Sequence, residues 1–180
     1  MPNEIDLGFS DELEPAVRSV YSSPDWTAVL DTALSVMTQK LHQGTQFPYF
    51  PDVQMIWDKP KSLSLYIVDT AEGQALNLEA RGKDYATNVL SYPSALPSEI
   101  LNMMEVIELG ELVLCHQVIE DEARAQGKTL KAHLTHLIIH GVLHLLGFDH
   151  EISDADADEM EGFEIQILEK LGIQNPYLES

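Results

Sequence analysis

His140-Gly141-Val142-Leu143-His144-Leu145-Leu146-Gly147-Phe148-Asp149-His150 is the stretch around which the chain is organised. It reads H-x-x-x-H-x-x-G-x-x-H. Two histidines four residues apart lie on one face of a helix. The apolar periodicity running back from them predicts a long helix over 129–146, with Thr129 as its cap. Gly147 can end that helix, because glycine accepts the left-handed conformation of a helix stop. The chain then turns and brings His150 back towards His140 and His144. Three neutral imidazoles with an open fourth position are the ligand set of a catalytic zinc site. One such histidine would read as a core residue. Two ionisable rings on a helix flanked by Leu137, Ile138, Ile139, Val142 and Leu145 need partners, and one metal ion serves both.

The spacing matches the zinc pattern of metzincin-type proteases, H-E-x-x-H-x-x-G-x-x-H, with one difference. Where those enzymes carry the glutamate that activates water, this chain has Gly141. The metal cage is kept and the proteolytic base is missing. Asp149, Glu151 and the Asp154–Asp158 cluster are the nearby carboxylates. Asp149 is also a candidate for orienting a ligand histidine. His136 precedes His140 by four and shares its face. It reads either as a substrate-facing or ligand-supporting group or as an exposed histidine at the helix start. His133 is expected at that exposed start, and His116 is expected to face solvent. Cys115 reads as a small buried residue.

Outward from the histidines, alternation and apolar runs predict strands at Glu4–Ser10, Ser62–Asp69, Asn88–Tyr92 and Glu111–His116. Helices are predicted at Asp25–Leu41, Thr70–Ala80, Gln117–Gln126 and Ser153–Leu171. Asp11–Ser23 reads as loop or a short helical turn, and Ala95–Leu109 as irregular. The expected fold is therefore an α+β or α/β layer: one sheet of roughly four strands with helices packed on it, in a single domain over 1–180. The aromatic and proline-rich segment 44–61 reads as an insertion on the surface.

Composition narrows the function. The 180 residues carry 30 acidic and 10 basic side chains, a net charge of −20. Such a surface repels polyanions at long range, so any nucleic-acid contact must be local. The single cysteine allows no intramolecular disulfide and suits a reducing compartment. There is no signal-peptide pattern and no apolar run long enough for a membrane span, so a cytoplasmic protein without a membrane partner is expected. One local basic spot stands out. Arg81-Gly82-Lys83 precedes a strand, and a guanidinium fork matches phosphate oxygens.

Four blocks carry a family resemblance: LNLEARGKDYATNVLSYP (76–93), GELVLC (110–115), AHLTHLIIHGVLHLLGFDH (132–150) and DADADEMEGFEIQILEKLG (154–172). With these the chain resembles the YbeY family of bacterial rRNA maturation factors and single-strand-specific endoribonucleases. The resemblance implies a mixed four-stranded sheet with surrounding helices. It implies metal ligands at His140, His144 and His150, one zinc ion per chain, and a functional arginine at Arg81. Lys83, beside that arginine, and His136, on the face of His140, are read from their positions as further substrate contacts. It also implies a role in 16S rRNA 3′-end processing and ribosome quality control, with single-stranded rRNA as substrate and the small ribosomal subunit and the Era GTPase as partners. Glu111 and Phe148 stand where the family usually has Asp and Tyr, and 44–61 is longer than its norm. Two other readings stay open on the residues: a zinc-dependent peptidase-like hydrolase, and a non-catalytic ribosome-assembly factor with structural zinc.

Overall fold

Alternating apolar residues at the start of the chain form the edge of a sheet. The structure is a computed structural model describing residues 2–178. In chain order its elements are β1 (Glu4–Phe9), α1 (Pro15–Ser22), α2 (Trp26–His42), β2 (Lys61–Val68), α3 (Thr70–Arg81), β3 (Val89–Pro93), α4 (Ser98–Met103), β4 (Ile107–Cys115), α5 (His116–Ala125), α6 (Leu130–Leu146) and α7 (Asp154–Lys170). The sheet order is β1-β2-β4-β3. β1 with β2 and β2 with β4 are parallel, while β3 runs antiparallel to β4. The fold is α+β with one four-stranded sheet, and the sheet is mixed, as the family resemblance implies.

Alternation sets the two faces. Leu63, Leu65 and Ile67 of β2 and Ile107, Leu109, Leu112 and Leu114 of β4 point into the main core, where α2, α6 and α7 pack. The β4 inward positions skip from 109 to 112 because the register shifts against Ser62/Leu63 of β2. Gly110 makes the shift possible. Its φ of +140° and a Cβ position 2.3 Å from the Tyr92 carbonyl oxygen exclude a side chain. Val68, Leu90, Val113 and Cys115 form a second cluster under α3 and α5 on the other face. Burial of Cys115 agrees with its expected role as a small core residue.

Caps set the helix limits. Thr129 Oγ1 accepts from the Ala132 amide at 3.1 Å, and Gly147 closes α6 at φ +110°. Ser153 caps α7 by accepting from the Asp156 amide. Asp69 caps α3, its carboxylate accepting from the Glu72 amide at 2.9 Å.

Several expectations are corrected. Ala95–Leu109 contains α4 and the first three residues of a longer β4. Asp11–Ser23 contains the two-turn α1, started by Pro15. The segment 44–61 is not a surface appendage in its side chains: Phe47, Phe50, Val53 and Trp57 are all buried in the main core. Trp57 donates through its indole N–H to Thr38 of α2, and the Tyr49 amide donates to the Leu146 carbonyl at the end of α6. Three of its four aromatics, Phe47, Phe50 and Trp57, are core residues supplied by a loop, while Tyr49 is exposed.

Candidate metal centre

Helix geometry places His140 and His144 one turn apart, and the Gly147 stop returns the chain so that His150 reaches both. One ring nitrogen of each lies within 4.8 Å of the others. The Nε2 atoms of His140 and His144 approach to 3.0 Å. The ring centroids of His150 are 4.9 Å from those of His140 and 5.2 Å from those of His144. Tetrahedral bonds of about 2.1 Å put ligand nitrogens about 3.4 Å apart. The three nitrogens therefore fit one divalent ion of the zinc type. Protonation of His144 is disfavoured. Burial first, then the neighbouring His140 and His150, hold the His144 imidazole down at about 4. A neutral ring keeps its lone pair available to a metal.

The turn that carries His150 is buttressed from below. Phe148 stacks edge-on against Phe47 and Phe163. A Cβ on Gly147 would lie 2.8 Å from Pro48 Cβ and from the Tyr49 amide nitrogen. The loop 44–61 therefore packs directly under the metal-site turn. Gly141 has an equally physical reason. A Cβ there would sit 2.7 Å from both Leu112 methyls. At Gly141 α6 packs tightly on β4, and the glycine faces the sheet rather than the histidines.

The histidines line one end of a cleft of about 980 Å³, whose walls include Arg81, Asn88, His136, Glu164 and Tyr177. Arg81, the last residue of α3, reaches this rim. Its guanidinium pairs with Glu151, next to His150, at 3.6 Å. Lys83 is exposed and lies outside the cleft lining. His136 does share the face of His140 and lines the cleft, with its Nε2 3.3 Å from Glu164 and 3.2 Å from the Tyr177 hydroxyl.

Two histidine expectations fail. His133 is buried rather than exposed, with Nε2 3.1 Å from Glu122. Burial lowers its pKa, against the opposing pull of Glu122. His116 is 6% exposed and not solvent-facing: its Nδ1 meets the Tyr21 hydroxyl at 2.9 Å and its Nε2 meets Glu120 at 3.1 Å. Asp149 does not orient a ligand histidine. Its carboxylate accepts from the Glu151 amide and closes the turn.

The carboxylate on His140 is Glu164 of α7, which sequence reasoning missed. His140 donates through Nδ1 to Glu164 Oε1 at 2.8 Å. The signal was present. Met160, Phe163, Glu164, Ile167 and Leu168 repeat at helical spacing and are all buried, so a glutamate occupies a core position. Tyr177, also missed, donates to Glu164 Oε2 at 2.6 Å. Burial pushes the Glu164 carboxyl up, but hydrogen bonds from His136, His140 and Tyr177 prevail and hold it down at about 2.

Comparison with known proteins gives the family. A model described as Endoribonuclease YbeY matches residues 28–172. An Endoribonuclease YbeY of Psychrobacter cryohalolentis is 51% identical over 83% of this chain and 98% of its own length. One of Psychrobacter arcticus is 55% identical over 75% of this chain and 66% of its own. One of Acinetobacter baylyi is 54% identical over 65% of this chain and 74% of its own. With the match spanning both the histidine block and the Arg81 loop, the chain belongs to the YbeY family.

Proposed function

We propose that this chain is a metal-dependent, single-strand-specific endoribonuclease that acts in rRNA maturation, at the 3′ end of 16S rRNA, and in ribosome quality control. The observation that carries the proposal is the juxtaposition of three converging imidazoles with the Arg81 guanidinium on the rim of one cleft. His140, His144 and His150 would hold one Zn²⁺. Bound there, the ion supplies Lewis acidity towards a phosphoryl oxygen and lowers the pKa of water.

The chain's own residues do the rest. Arg81 exchanges its exposed partner Glu151 for a phosphate of the substrate and stabilises the charge that develops on it. The exchange is inexpensive, because an exposed ion pair contributes little. Freed of Arg81, Glu151 stays beside His150 as the nearest exposed carboxylate able to take a proton. The cleft has volume for more than one nucleotide, and its His136 and Tyr177 rings offer stacking surfaces to unpaired bases. Outside the cleft a net charge of −20 works against unaided RNA affinity. Delivery by the small ribosomal subunit and the Era GTPase, implied by the family resemblance, would supply what the surface lacks. No helix among the described residues is long and apolar enough to cross a membrane, which suits a cytoplasmic site of action.

A peptidase reading is disfavoured by Gly141, where the sheet leaves no room for a glutamate. The test is cleavage of single-stranded RNA by purified, zinc-loaded protein. His144→Ala and Arg81→Glu are each expected to lower the rate by at least about 100-fold, the order expected for losing one charge-stabilising group. Unchanged cleavage in both variants overturns the assignment.

A further inference from the structure

We infer that Glu164, latched by Tyr177, is the positioning residue of the metal centre: it fixes the ring orientation and tautomer of His140 so that Nε2 is presented to the ion. The inference rests on the proposed function only for the location of the metal site.

The argument begins with a cost. Glu164 is 0% exposed, on the apolar face of α7. A carboxylate there loses its hydration, and an apolar side chain would pack the position at no such cost. Among the described residues its ion-pair partners are His136 and His140, with no lysine or arginine. Three groups converge on it: His140 Nδ1 at 2.8 Å, the Tyr177 hydroxyl at 2.6 Å and His136 Nε2 at 3.3 Å. Both oxygens are used, one mainly by His140 and the other by Tyr177 and His136. An anion arranged in this way accepts the His140 Nδ1 proton, which leaves the lone pair on Nε2. That is the nitrogen 3.0 Å from His144 Nε2, in the middle of the triad.

The latch comes from a different part of the chain. Tyr177 lies beyond α7, and the segment carrying it is held where Lys128 Nζ donates to the Pro176 carbonyl at 3.3 Å. The Tyr177 ring packs edge-on against His136, with centroids 5.5 Å apart. Its hydroxyl closes the last open side of the carboxylate. Glu164 therefore cannot swing away from His140 without breaking the Tyr177 bond. Carboxylate partners of ligand histidines raise ligand basicity and fix ring orientation, and their loss costs about 10–100-fold in metal affinity.

The experiment is a zinc titration in competition with a chromophoric chelator, on the full chain and on Glu164→Gln and Tyr177→Phe. Thermal melts in chelator run alongside, and Co²⁺ absorption spectra report ligand geometry. Glu164→Gln keeps the shape and removes the charge; its zinc Kd is expected to rise about 10–100-fold, with an altered Co²⁺ d–d band. Tyr177→Phe is expected to show the same change at the lower end of that range. A purely structural Glu164 would lower the chelator melt and leave zinc Kd and Co²⁺ spectrum unmoved, which overturns the inference. If Glu164→Gln does not fold, Tyr177→Phe decides: a wild-type zinc Kd overturns it. If the zinc effects appear but the wild-type protein does not cleave RNA, the endoribonuclease proposal fails and the positioning role stands.

Discussion

His116 is buried and His144 half-buried, and only one of them belongs to the proposed metal centre. At the β4–α5 junction, His116 spends both ring nitrogens on protein partners, the Tyr21 hydroxyl and Glu120. On α6, His144 turns Nε2 towards another imidazole at 3.0 Å, with a third ring alongside. Two neutral imidazole nitrogens can bond to each other only if one of them spends its N–H there; if both present lone pairs, as metal ligands must, only a cation satisfies them. A satisfied histidine holds the fold together. A histidine whose best neighbour is another histidine is set up for a cation.

Exchanging the two roles by mutation breaks the comparison most severely. His144→Ala removes a direct ligand, so zinc Kd is expected to rise by more than the roughly 100-fold upper range for supporting residues, with the chelator melt nearly unchanged. His116→Leu is expected to do the reverse. It leaves the buried Tyr21 hydroxyl without its partner, which costs about 1–3 kcal/mol and lowers Tm by several degrees, while zinc Kd stays at the wild-type value. Calorimetric melts and the chelator competition read both quantities. Equal effects on zinc by the two variants would dissolve the distinction.

A second pair of variants tests why α6 has its histidines on one face and glycine on the other. Gly141→Ala places a methyl 2.7 Å from Leu112 and is expected to cost about 1–3 kcal/mol through overpacking. Gly141→Glu completes the protease-like pattern in sequence but directs a carboxylate into the sheet. It is expected to unfold the chain or to destabilise it beyond the alanine variant, with no peptide hydrolysis gained. A folded Gly141→Glu protein that cleaves unfolded polypeptide in a zinc-dependent assay would show that α6 can rotate to present this position to the site.

The difference between the two histidines also marks what the sequence could carry. The triad was legible because its geometry is local: four residues along a helix, a glycine stop and a short return fix His140, His144 and His150 before any tertiary structure is known. The sheet was legible for the same reason, since period-2 alternation in Leu63–Ile67 is a property of neighbours. His116 and His133 were misread because their partners, Tyr21 and Glu122, are 95 and 11 residues away. The aromatics of 44–61 looked exposed because a loop has no period from which to infer an inward face, and only the packing of Phe47 on Phe148 shows where they go. Glu164 left a trace, a charge at an apolar helix position, but its partner lies 24 residues upstream on another helix. Arg81 was legible as a local basic spot, and its role came from the family resemblance; its place at the histidine cleft is tertiary, since the end of α3 and the face of α6 line the same cleft.

The smallest expected effect separates His144 from Glu164, both held below their ordinary values. In metal-free protein, His144 is held at about 4 against an ordinary 6.5, first by burial. Between these values the unfolded chain binds the proton and the folded one does not, so stability falls as pH drops from 6.5 towards 4. Glu164 is held at about 2 against an ordinary 4.5, by bonds that outweigh burial. Here too the unfolded chain takes the proton first, and stability falls further as pH drops from 4.5 towards 2. The first window should appear as a fall in Tm on the order of 5 °C in chelator, and His144→Gln should remove it while leaving the second. Glu164→Gln should flatten the second and leave the first. Saturating zinc should steepen the decline around pH 6.5, because bound imidazoles must lose their protons to reach the metal. A Tm that is flat from pH 6.5 to 4 in chelator would mean that the histidine nitrogens are not held neutral by their burial, and the contrast with His116 would then rest on geometry alone.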